Sequence, residues 1–532
     1  MTSSGDRLPS GASLESGALA GQLVCVALRD YAGQPDRRRA FLEEARRHGW
    51  GGVIVFGGEP AAVADLVAAA DEHLPAPLLV TGDFERGFGQ QFPGRGTSFP
   101  PLMALGAATA ADPAGGAALA REVGRAVGRE LRAGGFHVDF WPVADLADEP
   151  ANPIVGTRAA GDDPAVAAAV VAAVVEGLQE TGVAATVKHW PGHGRTTLDS
   201  HEVLPVVEAT RAELERADWV PFRAGLAAGA RIVMTAHVTF PALEPDGARD
   251  RPATFSRTID TEILRGDLGF DGVVSSDALM MGALSGEPPA AAAMRALSAG
   301  VDWLLYPPDP PGVVAGLAAA LVEGRIDRVR AEEAAGRVLE LKRWAFSRPP
   351  LEPDGMGARA LADAVAAAAL TADPASPPGD PAWSDGAQWV VVLDGAIEPR
   401  EVVLAEGLSP EAAGRLLVID AADPAAATAR LAEVQERCDE SRVACAVFNP
   451  VRAWKGRAGL SPAALEVVRS ALGAAAESAL LLFSNPRIIN ELDTPSRVVW
   501  AYGEDPASQR AALAFLRGER AANGRPPVRL RA

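Results

Sequence analysis

The sequence predicts an α/β protein: a (β/α)8 barrel followed by a smaller three-layer α/β sandwich domain. Three observations carry this expectation. Short apolar runs rich in β-branched residues recur through the first 310 residues, Ala- and Leu-rich stretches with helical spacing separate most of them, and a Pro-rich stretch divides this series from a shorter second one.

In chain order, the apolar runs lie at 23–28, 52–56, 77–81, 138–141, 183–187, 232–235, 272–275 and 301–305. Helical stretches fall at 36–48, 60–73, 117–133, 164–181 and 210–229. Eight such units fit a closed barrel better than an open doubly wound sheet, which usually carries a Gly-rich phosphate turn after its first strand; none follows Leu28. An amphipathic helix is expected over 327–346, with Val329, Ala334, Val338, Leu341 and Trp344 at its spacing, stopped by Arg348-Pro349-Pro350. An Ala-rich helix at 358–370 leads into the Pro-rich connector 372–381. The second series has apolar runs at 389–393, 416–419, 444–448, 479–483 and 498–501, with helical stretches at 424–438, 462–475 and 506–517. The expected organisation is a flexible N-terminus over 1–20, a barrel over 21–346, a linker over 347–386 and an α/β domain over 387–532.

Composition narrows the function classes. A chain 48% hydrophobic and 22% charged is ordinary for a soluble globular protein. Its net charge of −19 argues against a nucleic-acid partner, because counterion displacement needs clustered Lys and Arg. Three cysteines, Cys25, Cys438 and Cys445, show no metal-ligand spacing and no disulfide framework. No apolar run approaches the roughly 20 residues of a membrane span, and residues 1–21 lack the pattern of a secretory signal. A cytoplasmic enzyme without a membrane partner is expected.

The chemistry concentrates in Lys188-His-Trp-Pro-Gly-His-Gly-Arg-Thr-Thr-Leu-Asp-Ser-His201, a polar loop bent by Pro191, Gly192 and Gly194 that follows a buried run. A barrel keeps its active site where its strands end, and those ends carry Asp83, Lys188 with His189, His237 and Asp277. Asp199 and His201 read either as an Asp-capped turn or as a dyad in which the carboxylate stabilises an imidazolium able to donate a proton. Asp277, just past a buried run, reads either as the cap of a following helix or as a carboxylate in use. A carboxylate facing a separate proton donor is what retaining glycoside hydrolysis needs. Lys188 and His189, at a strand end inside the barrel, are better placed for ligand contact than for packing; Arg158 is evenly balanced. His193 is expected to structure the loop, His237 to line the pocket or sit satisfied in the core, and His48, His73 and His137 to be structural.

The loop, with Leu204-Pro205 behind it, resembles the signature of glycoside hydrolase family 3 β-N-acetylglucosaminidases. Gly82-Asp83-Phe-Glu-Arg-Gly87, Val155-Gly-Thr-Arg158, Met234-Thr-Ala-His237 with Pro252-Ala-Thr-Phe-Ser256, and Ser276-Asp277-Ala-Leu279 agree in order. The resemblance implies an exo-acting retaining hydrolase of N-acetylglucosamine-containing peptidoglycan or chitin fragments, needing no cofactor or metal. It implies Asp277 as nucleophile, Asp199 and His201 as the acid/base dyad, and Asp83, Arg158, Lys188 and His189 as sugar-binding residues. A β-glucosidase, a glycosyl phosphorylase and a non-catalytic sugar-binding barrel are the competing readings.

Two departures stand out. Where the family commonly reads Asp-x-Glu-Gly-Gly-x-x-x-Arg, this chain ends the motif at Gln91, leaving Arg86 and Arg95 as candidates to replace the missing arginine. Arg195 stands where an acidic residue is common, which makes the field around His201 less negative. The C-terminal series resembles the family's second domain through Leu482-Phe-Ser-Asn-Pro486, Leu516-Arg-Gly518 and Asn523-Gly-Arg-Pro-Pro-Val-Arg-Leu530, and a supporting or lid role is expected for it.

Overall fold

A computed structural model describes residues 8, 11–349, 352–376, 379–395, 402–451, 456–492 and 495–530. Parts of the expected N-terminus, linker and C-terminal domain therefore lie outside the described residues. The chain divides into two compact units: Met1–Thr97, Arg121–Asp145 and Val171–Gly355 form one, and Ser98–Ala120, Leu146–Val170 and Met356–Ala532 the other.

In the first unit the strands are β1 (Val24–Tyr31), β2 (Gly52–Gly58), β3 (Leu79–Gly82), β4 (Val138–Asp139), β5 (Ala184–Trp190), β6 (Ile232–Thr235), β7 (Val273–Ser276) and β8 (Leu304–Leu305). They hydrogen-bond in the order β7-β6-β5-β4-β3-β2-β1-β8, and every ladder is parallel. A parallel bridge from Ser275 to Trp303, beside β8, closes the circle. The barrel is therefore complete, as its apolar runs predict. Cys25, Ile54, Leu79, Ile232, Val273 and Trp303 belong to its core, and Trp303 is fully buried. Such a filled interior leaves polar residues room only at the strand ends.

The helices begin where the sequence supplies a start signal. Proline, whose fixed φ suits the first helical turn and whose missing N–H is no loss there, opens Pro35–His48, Pro60–His73, Pro289–Ala299 and Pro310–Val322. Thr210 and Glu213 form a capping box for Arg211–Arg216. The stretch expected as one helix over 210–229 is instead two, Arg211–Arg216 and Trp219–Ala227. Residues 11–20, expected to be flexible, hold a turn at Gly11–Ser13 and the start of a helix, Ser16–Gln22, in which Leu19 and Ala20 are buried.

In the second unit, β9 (Thr371–Ala372), β10 (Gln388–Leu393), β11 (Leu417–Asp420), β12 (Arg442–Asn449), β13 (Glu477–Ser484) and β14 (Arg497–Trp500) form a sheet in the order β11-β10-β12-β13-β14-β9. All pairings are parallel except β14 with β9. Pro462–Ala474 packs on β10 and β12, and Pro506–Leu516 on β13. The two-residue β9 carries too little pattern to be seen in sequence. Among the described residues no helix is long and apolar enough to cross a membrane.

Candidate active site

Strand β5 is buried along its whole length and carries Lys188 and His189 just before its last residue, Trp190. The Lys188 ammonium, on a side chain 3% exposed, lies 2.8 Å from Asp83 Oδ1 and 2.8 Å from Glu85 Oε1, both just beyond β3. A lysine at this depth is tolerable because two carboxylates answer its charge. Asp139, at the end of β4, is fully buried; its Oδ1 accepts the Phe84 N–H at 3.0 Å and its Oδ2 has no partner. Burial pushes the Asp139 carboxyl well above the usual carboxylate range, and the nearby Asp83 and Glu85 add to the rise while Lys188 opposes it. Asp139 is thus biased toward its protonated form.

Gln91, which stands in place of an expected arginine, fastens backbone. Its amide donates to Asp83 O at 3.0 Å and its carbonyl accepts the Gly57 N–H at 3.3 Å. Arg95 pairs with Glu59 at 3.5 Å with both side chains more than half exposed.

The loop after β5 is held from beneath by Asp145. His189 Nδ1 lies 2.6 Å from Asp145 Oδ2, while the backbone N–H groups of His189 and His193 donate to Asp145 Oδ1 at 3.2 and 2.6 Å. Burial alone would raise the Asp145 carboxyl, but the positive charge and hydrogen bonds of His189, with help from His193, hold it below its ordinary value. His193 then spans the loop: its ring nitrogens lie 2.9 Å from Thr196 Oγ1 and 2.9 Å from Ser200 Oγ. Burial pushes the His193 imidazole down to about 4, so it is neutral at neutral pH and links two hydroxyls.

Gly192 makes the bend possible. Its φ of 129° suits glycine, and a Cβ there would come within 3.2 Å of Asp218 Cβ. Asp218, in the break between the two helices, takes Arg195 Nε on both oxygens at 3.1 and 2.9 Å. Arg195 therefore sits beside a buried carboxylate that offsets its charge.

At the far end of the loop, His201 Nδ1 lies 2.7 Å from Asp199 Oδ1, which also accepts the His201 backbone N–H at 2.9 Å. Asp199 is 1% exposed and the His201 side chain 19%. A carboxylate at Nδ1 fixes the proton there, so Nε2 is the nitrogen that can take up and deliver one. The turn and the dyad expected for this pair are the same structure.

Asp277 follows β7, its N–H donating to Thr235 O at 3.1 Å and its Oδ1 accepting the Ala278 N–H at 2.7 Å. No helix starts there; the next elements are a 3-10 turn at Gly282–Leu284 and the helix Pro289–Ala299, so capping does not explain it. Burial would raise its carboxyl, yet the positive fields of His189, His237 and His201 and the Ala278 N–H bring it down to about 2. It is an anion throughout the working range. His237, fully buried, lies 2.7 Å from Thr254 Oγ1 through Nδ1 and 3.1 Å from Ala278 O through Nε2. Burial lowers its pKa while the Asp277 carboxylate opposes the drop, and both ring nitrogens are engaged at the edge of the site.

Asp83, Lys188, His189, Asp199, His201 and Asp277 all lie in the barrel unit. Arg158 belongs to the other unit, in the turn Gly156–Arg158, with Nη1 donating to Ile154 O at 2.8 Å. Sequence reasoning overlooked Asp139, Asp145 and Asp218. Asp139 interrupts the buried run at 138–141 and Asp145 follows it, which was the available signal; Asp218 sits within an apparently continuous helix and gave none. Among the described residues no group of three His, Cys, Asp or Glu side chains converges as a metal-ligand set.

The arrangement supplies a carboxylate whose ionised form is favoured, in the field of a histidine whose Nε2 can transfer a proton, with the Lys188–Asp83–Glu85 cluster alongside. Residues 20–341 match the family described as glycosyl hydrolase family 3 N terminal domain. Beta-hexosaminidases of Stenotrophomonas maltophilia (strain R551-3) and Xylella fastidiosa (strain 9a5c) are each 41% identical over 258 residues, which is 48% of this chain and 75% of theirs. The solved structure of a glycoside hydrolase family 3 beta-N-acetylglucosaminidase from Paenibacillus sp. str. FPU-7 is similar with a TM-score of 0.82 and 30% identity, covering 97% of this chain and 99% of that one. A beta-glucoside phosphorylase, BglX, shares the fold with a TM-score of 0.84 at 22% identity, over 98% of this chain and 95% of that one. The chain belongs to glycoside hydrolase family 3 and is a glycoside hydrolase.

Proposed function

We propose that this hydrolase is a retaining exo-β-N-acetylglucosaminidase acting on terminal N-acetylglucosamine of peptidoglycan or chitin fragments. The observation that carries the reading is the pairing of an anionic Asp277 with a histidine, His201, held by Asp199 at 2.7 Å and still partly open to solvent. The named hexosaminidase relatives support the choice of sugar.

In this reading His201 Nε2–H protonates the glycosidic oxygen while Asp277 attacks the anomeric carbon, so the C–O bond to the leaving group breaks as the glycosyl–Asp277 ester forms. The neutral imidazole then takes a proton from water, whose oxygen displaces Asp277 and returns the sugar with its configuration retained. Asp199 stabilises the imidazolium on each cycle. Lys188, His189 and Asp83, all of the barrel unit, hold sugar hydroxyls and the N-acetyl-bearing ring. Fixed charges around the site need no reorganisation during the reaction.

The test is a substrate panel with product analysis by NMR. Turnover of a β-N-acetylglucosaminide well above that of the matching β-glucoside, with the β-anomer released first and no dependence on phosphate, is expected. Preferred turnover of the glucoside, formation of a sugar phosphate, or release of the α-anomer of free sugar would contradict the reading.

A further inference from the structure

The segments carrying His201 and Asp277 touch each other at Gly282. The Gly282 N–H donates to His201 O at 2.9 Å and the Ala283 N–H to Ser200 O at 3.3 Å. A Cβ on Gly282 would stand 2.6 Å from the carbonyl oxygens of both His201 and Glu202, nearer than real Cβ atoms come. Both neighbours are backbone, so a side chain can be accommodated only if the loop itself moves. The φ of Gly282 lies outside the left-handed region, so conformation does not demand glycine here; space does.

We infer that Gly282 is a positioning residue, its bare backbone latching the Ser200–His201 segment onto the loop that begins at Asp277 and thereby setting the proton donor against the nucleophile. Asp145 holds the root of the acid/base loop, His193 ties its middle to Ser200, and Arg195 ties it to Asp218, but these contacts all fix the loop to itself or to strands and helices beside it. The latch joins it to the β7 side of the mouth. Because a displacement of about 1 Å in a reacting group can cost about 10²-fold, a contact with no side-chain chemistry of its own can control the rate.

The inference rests on the proposed acid/base role of His201, and the test separates the two. Gly282→Ala, Ala283→Pro, Gly286→Ala and His201→Ala enzymes are normalised by fluorosugar active-site titration, which counts folded sites with a competent nucleophile. For each, kcat/KM is measured on an alkyl N-acetylglucosaminide, whose poor leaving group needs protonation, and on an activated aryl one, whose leaving group does not. Gly282→Ala is expected to lose about 10-fold or more on the alkyl substrate and less than about threefold on the aryl one, as is His201→Ala with a larger alkyl loss. Ala283→Pro replaces one latch donor with a ring carbon from which the Ser200 carbonyl oxygen must move away, and should shift in the same direction. Gly286, where an added Cβ meets nothing within 4 Å, should tolerate alanine on both substrates. Equal losses on both substrates in Gly282→Ala, or no loss on either, with His201→Ala still selective for the alkyl substrate, would overturn the latch. Equal losses in His201→Ala would overturn the acid/base assignment and the latch with it.

Discussion

Arg195 shows how far one residue's meaning depends on its partner. Read in the sequence, a cation in the acid/base loop alters the field at His201; in the fold it spends that charge on Asp218, bonded through Nε to both carboxylate oxygens. Gln91 behaves likewise, trading an arginine's charge for two backbone contacts. The residue whose titration matters more is Asp139. Its folded carboxyl is raised above its unfolded value, so the stability it contributes is full below about pH 4 and is lost as pH rises toward its folded pKa. Asp139→Asn keeps an oxygen for the Phe84 N–H and removes the titration. Its Tm relative to the parent should therefore increase between pH 4 and pH 8, and thermal melts showing a flat or opposite difference would refute the upward shift of the Asp139 carboxyl. In the proposed mechanism His201 protonates the leaving group, and because positioned proton transfer is worth about 10² to 10⁴ in rate, His201→Ala should lose about that factor on unactivated substrates and far less on activated ones.

At the level of the element, the loop after β5 is a set of anchors around a bend, and its legibility was uneven. Lys188, His189, Asp199 and His201 could be picked out because protonating and charged groups are dense in a short stretch with Pro and Gly between them. Asp145 and Asp218 could not be tied to that loop, since their partners lie 44 and 23 residues away and sequence spacing says nothing about such pairs. The break between Arg211–Arg216 and Trp219–Ala227 was invisible for the same reason: local helical propensity runs through it, and tertiary pairing of Asp218 decides the outcome. Removing one partner of that pair should be worse than removing both charges. Arg195→Ala leaves a 1% exposed carboxylate without two hydrogen bonds, a loss of about 1–3 kcal/mol after allowing for the partly open arginine, and adding Asp218→Asn should recover part of it. Urea unfolding of the two singles and the double variant measures this; additive losses would deny the coupling.

On the scale of the whole molecule, period and order carried most of the information. Each of the eight apolar runs overlaps a barrel strand, because a parallel strand buried on both faces must be apolar throughout, and the runs at 389–393 through 498–501 overlap strands β10 to β14. What order along the chain could not convey is which segments cluster in space: Ser98–Ala120 and Leu146–Val170, interspersed among barrel elements, group with the C-terminal sheet, and Arg158 goes with them. The account therefore stands on residues of the barrel unit, and above all on Asp277 as the nucleophile. The direct test is trapping with a 5-fluoro N-acetylglucosaminyl fluoride, digestion and peptide mass spectrometry. A single glycosyl adduct on Asp277, formed as activity disappears and abolished in Asp277→Asn, is the predicted result; an adduct on any other residue, or inactivation with Asp277 unmodified, would contradict it.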